Sequence, residues 1–175
     1  MADVRLTPVT PGDRPDVAAW LVRESWPFHA DGAADAAAVE RRLAADDDGG
    51  SASYRVLRDG GPVGLVRVLD LGDPTVEIDV RIAGAVRGQG LGTAAVRLLV
   101  DLVLAGHPDV LRIEAATRQD NAAMRAVLRR CGFVKEAHHR DAWPAPDGTL
   151  RDTVIYALLR RDHESGTTTP VVWDD

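Results

Sequence analysis

Val76, Ile78, Val80 and Ile82 alternate with Glu77, Asp79 and Arg81, the period of a half-buried strand. The alternation places Glu77, Asp79 and Arg81 on one face. A glycine-rich run follows, Arg87-Gly88-Gln89-Gly90-Leu91-Gly92, and then an apolar helix over 93–105. Upstream, the pattern predicts an edge strand over 3–9 and a helix over 15–24, broken by Trp26-Pro27-Phe28-His29. An Ala-rich amphipathic helix follows over 35–45, with Asp35 as its cap, and then an acidic flexible loop over 46–50. Strands over 54–58 and 62–69 turn at Asp59-Gly60-Gly61. Downstream come a strand over 110–116, a helix opened by Asn121 and closed by Gly132, and strands over 134–140 and 152–159. The last two strands are joined by a loop holding Pro144, Pro146 and Gly148. From Glu164 the chain is polar and Thr-rich up to Pro170-Val171-Val172-Trp173, where the tryptophan either docks or hangs free.

The bulk properties narrow the function. A chain of 175 residues is one domain, long enough to bury its own core. Its net charge of −6 argues against general binding of nucleic acid or anionic membrane. A single cysteine, Cys131, excludes an intramolecular disulfide and a multi-cysteine zinc site, and in an apolar helix it reads as core packing. No apolar run approaches the ~20 residues of a membrane span, and no basic-then-apolar leader is present, so a cytoplasmic location is expected.

The glycine run has a mechanical reading. Without Cβ atoms the backbone N–H groups can close on a bulky anion, and the following helix start adds unpaired donors and partial positive charge. Arg87 adds a fixed cation at the lip of this phosphate cradle. A P-loop would need Lys after the last glycine, where Thr93 and Ala94 stand. A dinucleotide fingerprint counted from Gly88 would need a glycine at Thr93 and a strand running directly into it, and residues 83–87 intervene.

The pattern Arg87-x-x-Gly90-x-Gly92 resembles the acetyl-CoA signature of the GNAT acyltransferases. The run from Asn121 to Gly132-Phe133 is similar to that family's second half, and the order of elements is the GNAT order. More narrowly, Glu77-Ile78, Gly132-Phe133, Glu136, Arg140, Gly148 and Asp152 resemble marks of the Rim-type branch, which acetylates ribosomal-protein N-termini. The resemblance spans residues 3–160 and is strongest over 76–160. It implies a mixed α/β GNAT fold, a single twisted mixed sheet of about six to seven strands with helices on both faces. The domain would occupy 1–163, followed by a polar tail over 164–175.

The implied reaction moves an acetyl group from acetyl-CoA, the co-substrate, to a primary amine, with no metal. The acceptor would be a protein N-terminus or a small-molecule amine, and the protein a monomer or homodimer. In this reading the amides of Gly88, Gln89, Gly90, Leu91, Gly92 and Thr93, beside Arg87, hold the pyrophosphate. The backbone of Val80 and Ile82 pairs with pantetheine. Asn121 both caps its helix and meets pantetheine. The amine must lose a proton to react, which requires a base. Glu77 is the first choice and Asp79 the second; an ion pair of either with Arg81 or Arg67 is the competing reading. Trp26, Phe28 and His29 would line the acceptor pocket or staple the two helices together. Glu77, Asp79, Asp31 and Asp35 would edge an acidic mouth that draws in a basic acceptor. Leu128 stands where many GNAT proteins carry a tyrosine acid, which leaves Tyr156 and Cys131 as candidates by chemistry alone. His138 and His139 are adjacent, point to opposite faces, and suit a surface better than a metal. A non-catalytic acyl-CoA sensor is the alternative function, and a nucleotide-binding module the third.

Overall fold

The alternating run around Ile78 folds as the central strand of a seven-stranded sheet, in a computed structural model that describes residues 3–29, 35–145 and 147–173. The strands are β1 (Val4–Pro8), β2 (Ser51–Arg58), β3 (Gly61–Leu69), β4 (Thr75–Ile82), β5 (Arg112–Arg118), β6 (Val134–Pro144) and β7 (Leu150–Leu159). The helices are α1 (Arg14–Arg23), α2 (Ala36–Ala44), α3 (Leu91–Gly106), α4 (Ala122–Arg130) and α5 (Arg160–Ser165). The spatial order is β1-β2-β3-β4-β5-β7-β6. Neighbours run antiparallel except β4 and β5, which are parallel because α3 carries the chain back across the sheet between them.

That parallel pairing is short. It joins Thr75 to Arg112, Val76 to Ile113 and Glu77 to Glu114, and then stops. Beyond Glu77, β4 stays with β3 as far as Ile82 opposite Gly64, and β5 stays with β7 as far as Arg118 opposite Thr153. The sheet therefore forks at Glu77 into two limbs. Their facing edges carry backbone groups without a strand partner, as on any open sheet edge.

Both faces are covered. Val66, Val68, Val76 and Ile78 pack against Val96, Leu99 and Val103 of α3 and Leu128 of α4. On the other face Leu65 receives Val17, Ala18 and Leu21 of α1 and Val39 and Leu43 of α2. Asp35 caps α2 through a 2.7 Å bond from the Ala38 amide, as its position before the Ala-rich run predicts.

Three stretches differ from the sequence expectation. The acidic segment after α2 is ordered as a tight turn over Ala45–Asp48, because the buried Arg67 needs a carboxylate and finds Asp46 at 3.1 Å. Strand β6 runs to Pro144; it is the sheet's outer strand, where a missing N–H is tolerated. After β7 the chain forms α5, whose buried Asp162 accepts from the Thr169 amide at 2.8 Å and its hydroxyl at 2.7 Å. That hold ends before Val172 and Trp173, which are exposed. Pro146 and Asp31 lie outside the described residues. Among the described residues no helix is long and apolar enough to cross a membrane.

Candidate active site

The loop leaving β4 makes a single tight turn over Gly84–Val86 and then reaches α3. Gly88 and Gly90 have φ of 78° and 82°, a left-handed conformation costly for any residue with a Cβ. Gly92 is different. It lies in the first turn of α3, and a Cβ there would meet Val127 Cγ2 at 3.4 Å, so this glycine serves the packing of α3 on α4. Leu91 is buried and anchors the helix start. Among the described residues the amides of Gly88, Gln89 and Gly90 donate to no backbone acceptor outside regular elements. Those of Leu91, Gly92 and Thr93 open α3, where first-turn N–H groups have no intrahelical partner. A run of unpaired donors at the positive end of a sixteen-residue helix fits an anion.

The fork opens toward this loop. Val80 and Ile82 sit on its β4 limb. The Ile82 carbonyl accepts from Arg87 Nε at 2.8 Å, and Arg87 Nη2 donates to the Ser25 carbonyl at 2.8 Å. Arg87, expected at the lip as a cation, thus has two donors engaged with the protein. The Gln89 side chain accepts from Arg58, which ties the loop to β2. Asn121 caps α4, accepting from the Met124 amide at 3.2 Å, and its amide group donates to Thr117 Oγ1 at 3.1 Å.

The two candidate bases differ in their surroundings. Asp79 has both oxygens engaged: Oδ1 lies 3.0 Å from His29 Nε2, and Oδ2 accepts from Arg81 Nε at 3.0 Å. Burial opposes its charge, but the His29 hydrogen bond and the charge of Arg81 outweigh burial and hold the carboxyl below the ordinary range. Glu77 stands at the apex of the fork, exposed, with no ion pair or hydrogen bond among the described residues. Its carboxyl is raised, first by desolvation and then by the negative charges of Asp70, Asp79 and Glu114. Arg67, one expected partner of these carboxylates, is occupied by Ser53 and Asp46 instead.

The α1–α2 connection meets the same face. Trp26 packs with the α1/α2 core, donates its indole N–H to the Leu21 carbonyl at 2.7 Å and lies edge-on to Trp20, so it staples the helices. It also carries the guanidiniums of Arg81 and Arg87, each 5.6 Å from its ring centroid. Phe28 lies under Arg118 at 5.2 Å, and Arg118 donates to the Pro27 carbonyl at 3.1 Å while paired with Asp120. Among the described residues His29 Nδ1 is buried without a hydrogen-bond partner. Asp35 is committed to its cap.

Sequence reasoning did not find Arg118. It stands 91 residues from Pro27, and nothing in the local pattern marks it. Leu128 is fully buried in the core. Tyr156 is buried on the α3/α4 side of the sheet, its hydroxyl 3.4 Å from Arg125 Nε and 3.5 Å from Arg129 Nη1. The Cys131 thiol is pushed up by burial and points to the Thr93 carbonyl. His138 pairs with Asp152 at 2.7 Å on the β6–β7 hairpin.

The sequence profile of the acetyltransferase (GNAT) domain matches residues 3–134. The chain belongs to the GNAT acetyltransferase family, which makes it an N-acetyltransferase with acetyl-CoA as co-substrate. Its fold is similar to that of RimL, a ribosomal-protein α-N-acetyltransferase solved with coenzyme A, at 18% identity, covering 89% of this chain and 93% of that one, with a TM-score of 0.78. Mycobacterium smegmatis RimJ, solved with a coenzyme A disulfide, shares 24% identity over 91% of this chain and 83% of its own, with a TM-score of 0.74. The aminoglycoside acetyltransferase AAC(6')-Ib in complex with coenzyme A shares 24% identity over 93% and 98%, with a TM-score of 0.74. No curated protein matches the sequence.

Proposed function

We propose that this protein transfers the acetyl group of acetyl-CoA to a primary amine, a protein N-terminus or a small-molecule amine, by direct attack with both substrates bound. The observation that carries this reading is the fork that opens at Glu77 and leads to the unpaired amides of Gly88–Thr93. The amides would hold the pyrophosphate, and the β4 edge at Val80 and Ile82, where the Ile82 carbonyl already accepts from Arg87, would pair through its remaining backbone groups with the amides of pantetheine as an added strand would. Asn121, from the start of α4, would meet the same arm. A backbone N–H on the β4 limb would face the thioester oxygen as negative charge develops there.

Glu77 is the proton acceptor in this reading. Among the described residues it has no cation paired with it, and its raised affinity for a proton makes it the better base. Asp79 is a poorer base, because both its oxygens are engaged and its proton affinity is depressed. Trp26, Phe28 and His29 form a wall of the acceptor pocket. The negative charge of Glu77, Asp70 and Glu114 favours a cationic amine, an attraction that salt weakens. The departing thiol, with an ordinary pKa of about 8.5, leaves with little help from an acid. The acyltransferases of similar fold support an amine acceptor: RimL acts on a ribosomal-protein α-amine, AAC(6')-Ib on aminoglycosides.

The test is a panel of amines, peptide N-termini, polyamines and aminoglycosides among them, scored by acetyl-CoA-dependent thiol release. Turnover with one class of amine and none with matched alcohols is the expected result. Leu128 in the usual tyrosine position favours one second reading, an acyl-CoA sensor without turnover. Tight acetyl-CoA binding with no thiol release across the panel would establish that reading instead.

A further inference from the structure

The segment from Glu24 to His29 is tied to both limbs of the fork. On the β4 side, Glu24 Oε2 accepts from the Gly84 amide at 3.2 Å, and the Ser25 carbonyl accepts from Arg87. Trp26 carries Arg81 and Arg87, and His29 meets Asp79. On the β5 side, Pro27 and Phe28 are both held by Arg118. Each of these consecutive residues thus has a partner on one limb or the other. The segment is a strap that sets where the acceptor wall stands.

Arg87 has a particular place in this arrangement. It is the residue from which the coenzyme loop departs, yet its guanidinium turns back toward the strap. Nε holds the Ile82 carbonyl, Nη2 holds the Ser25 carbonyl, and the group lies 5.6 Å from the Trp26 ring centroid. A planar fork with several fixed donors can make these contacts together; an ammonium on a flexible stem cannot. Two of its five N–H donors are committed to these carbonyls, which turns the plane of the guanidinium toward the strap.

We infer that Arg87 is a positioning residue, a latch that fixes the strap to the coenzyme loop, and not a ligand of the coenzyme phosphates. Order imposed on the loop by a bound coenzyme then reaches the acceptor wall through Arg87 beside the Glu24–Gly84 bond, a coupling between two sites of the kind that linkage requires to be reciprocal. The roles of loop and wall rest on the acetyltransferase reading above; the latch itself is read without turnover.

The experiment follows two protons of the strap by NMR in the ligand-free protein. One is the Trp26 indole N–H, bonded to Leu21, and the other is the His29 amide, bonded to the Trp26 carbonyl at 3.1 Å. In Arg87→Gln both should exchange with solvent at least about tenfold faster, since releasing the latch favours local opening. Coenzyme A affinity, measured by calorimetry, should fall by less than about fivefold. Arg87→Lys keeps the charge and should show the same faster exchange. Unchanged exchange in either folded variant overturns the latch. So does a loss of coenzyme A affinity beyond about thirtyfold in Arg87→Gln, which would mark a phosphate ligand. A wild-type protein that binds no coenzyme A overturns the functional reading and the coupling with it, an outcome distinct from unchanged exchange in a protein that does bind.

Discussion

His29 Nε2 lies 3.0 Å from Asp79 Oδ1, joining the loop between the first two helices to a strand fifty residues further along the chain. The same carboxylate holds Arg81, which is 9% exposed, so Asp79 keeps a nearly buried guanidinium paired.

Asp79→Asn should therefore destabilise the protein, by about 1.5–3 kcal/mol for a charged hydrogen bond of limited exposure. The sign with pH follows from a depressed carboxyl. Its contribution is complete above the unfolded value near about pH 4 and is lost as pH falls through the folded value. Thermal melts should show the gap between wild type and variant widest at neutral pH and narrowing below about pH 4. A gap that persists unchanged into acid would mean that charge is not what Asp79 contributes.

Glu77→Gln should do the opposite to stability and harm the chemistry. A raised carboxyl contributes stability below its unfolded value, near about pH 4.3, and that contribution is lost as pH rises through the folded one. At pH 7 the variant should melt at the wild-type temperature or above. Its kcat should fall by roughly 10²–10⁴, with acetyl-CoA affinity almost unchanged and part of the rate recovered at high pH, where more amine is free. Wild-type turnover with an unaltered pH profile would demote Glu77 to a surface carboxylate.

Gly90→Ala tests the loop. The alanine must take φ near 82°, at a cost of about 1–2 kcal/mol or a shift of the backbone away from its anion-binding shape. The rise in melting temperature that acetyl-CoA gives the wild type should disappear while the variant remains folded. Gly92→Ala should behave differently, because its cost lies in contact with Val127 and depends on how far α4 can give. Equal ligand responses from both variants would contradict this division of labour.

Leu128→Ala removes a side chain with no solvent exposure from the α3/α4 core. A loss of about 2–5 kcal/mol is expected, with activity per folded molecule unchanged. Chemical denaturation beside a turnover assay separates the two effects; normal stability with lost turnover would give the position a chemical role.

Much of this molecule was legible in the chain itself. The alternation around Ile78, the glycines at 88 and 90, and the caps at Asp35 and Asn121 are local features. A strand period, a left-handed turn and an orphaned first-turn amide are each decided within a few residues. The same local signals carried the order of strands and helices, and the resemblance carried by Arg87-x-x-Gly90-x-Gly92 added the single mixed sheet.

What the local pattern could not reveal is how charged groups share partners. Glu77 and Asp79 look alike in sequence, two carboxylates on one strand face. They separate because the folded loop brings His29 to one, while desolvation and then the negative charges of Asp70, Asp79 and Glu114 act on the other. Arg87 reads as a cation at the lip of the cradle, and only folding places the Ser25 carbonyl, 62 residues away, within reach of its guanidinium. Arg118 has no signal in the chain, and its partners Pro27 and Phe28 meet it only where β5 ends beneath the α1–α2 loop. Backbone conformation and amphipathic period are short-range properties, and the sequence by itself determined them. Proton affinity and ion pairing depend on distance and desolvation between segments far apart in the chain, and those were decided by the tertiary structure.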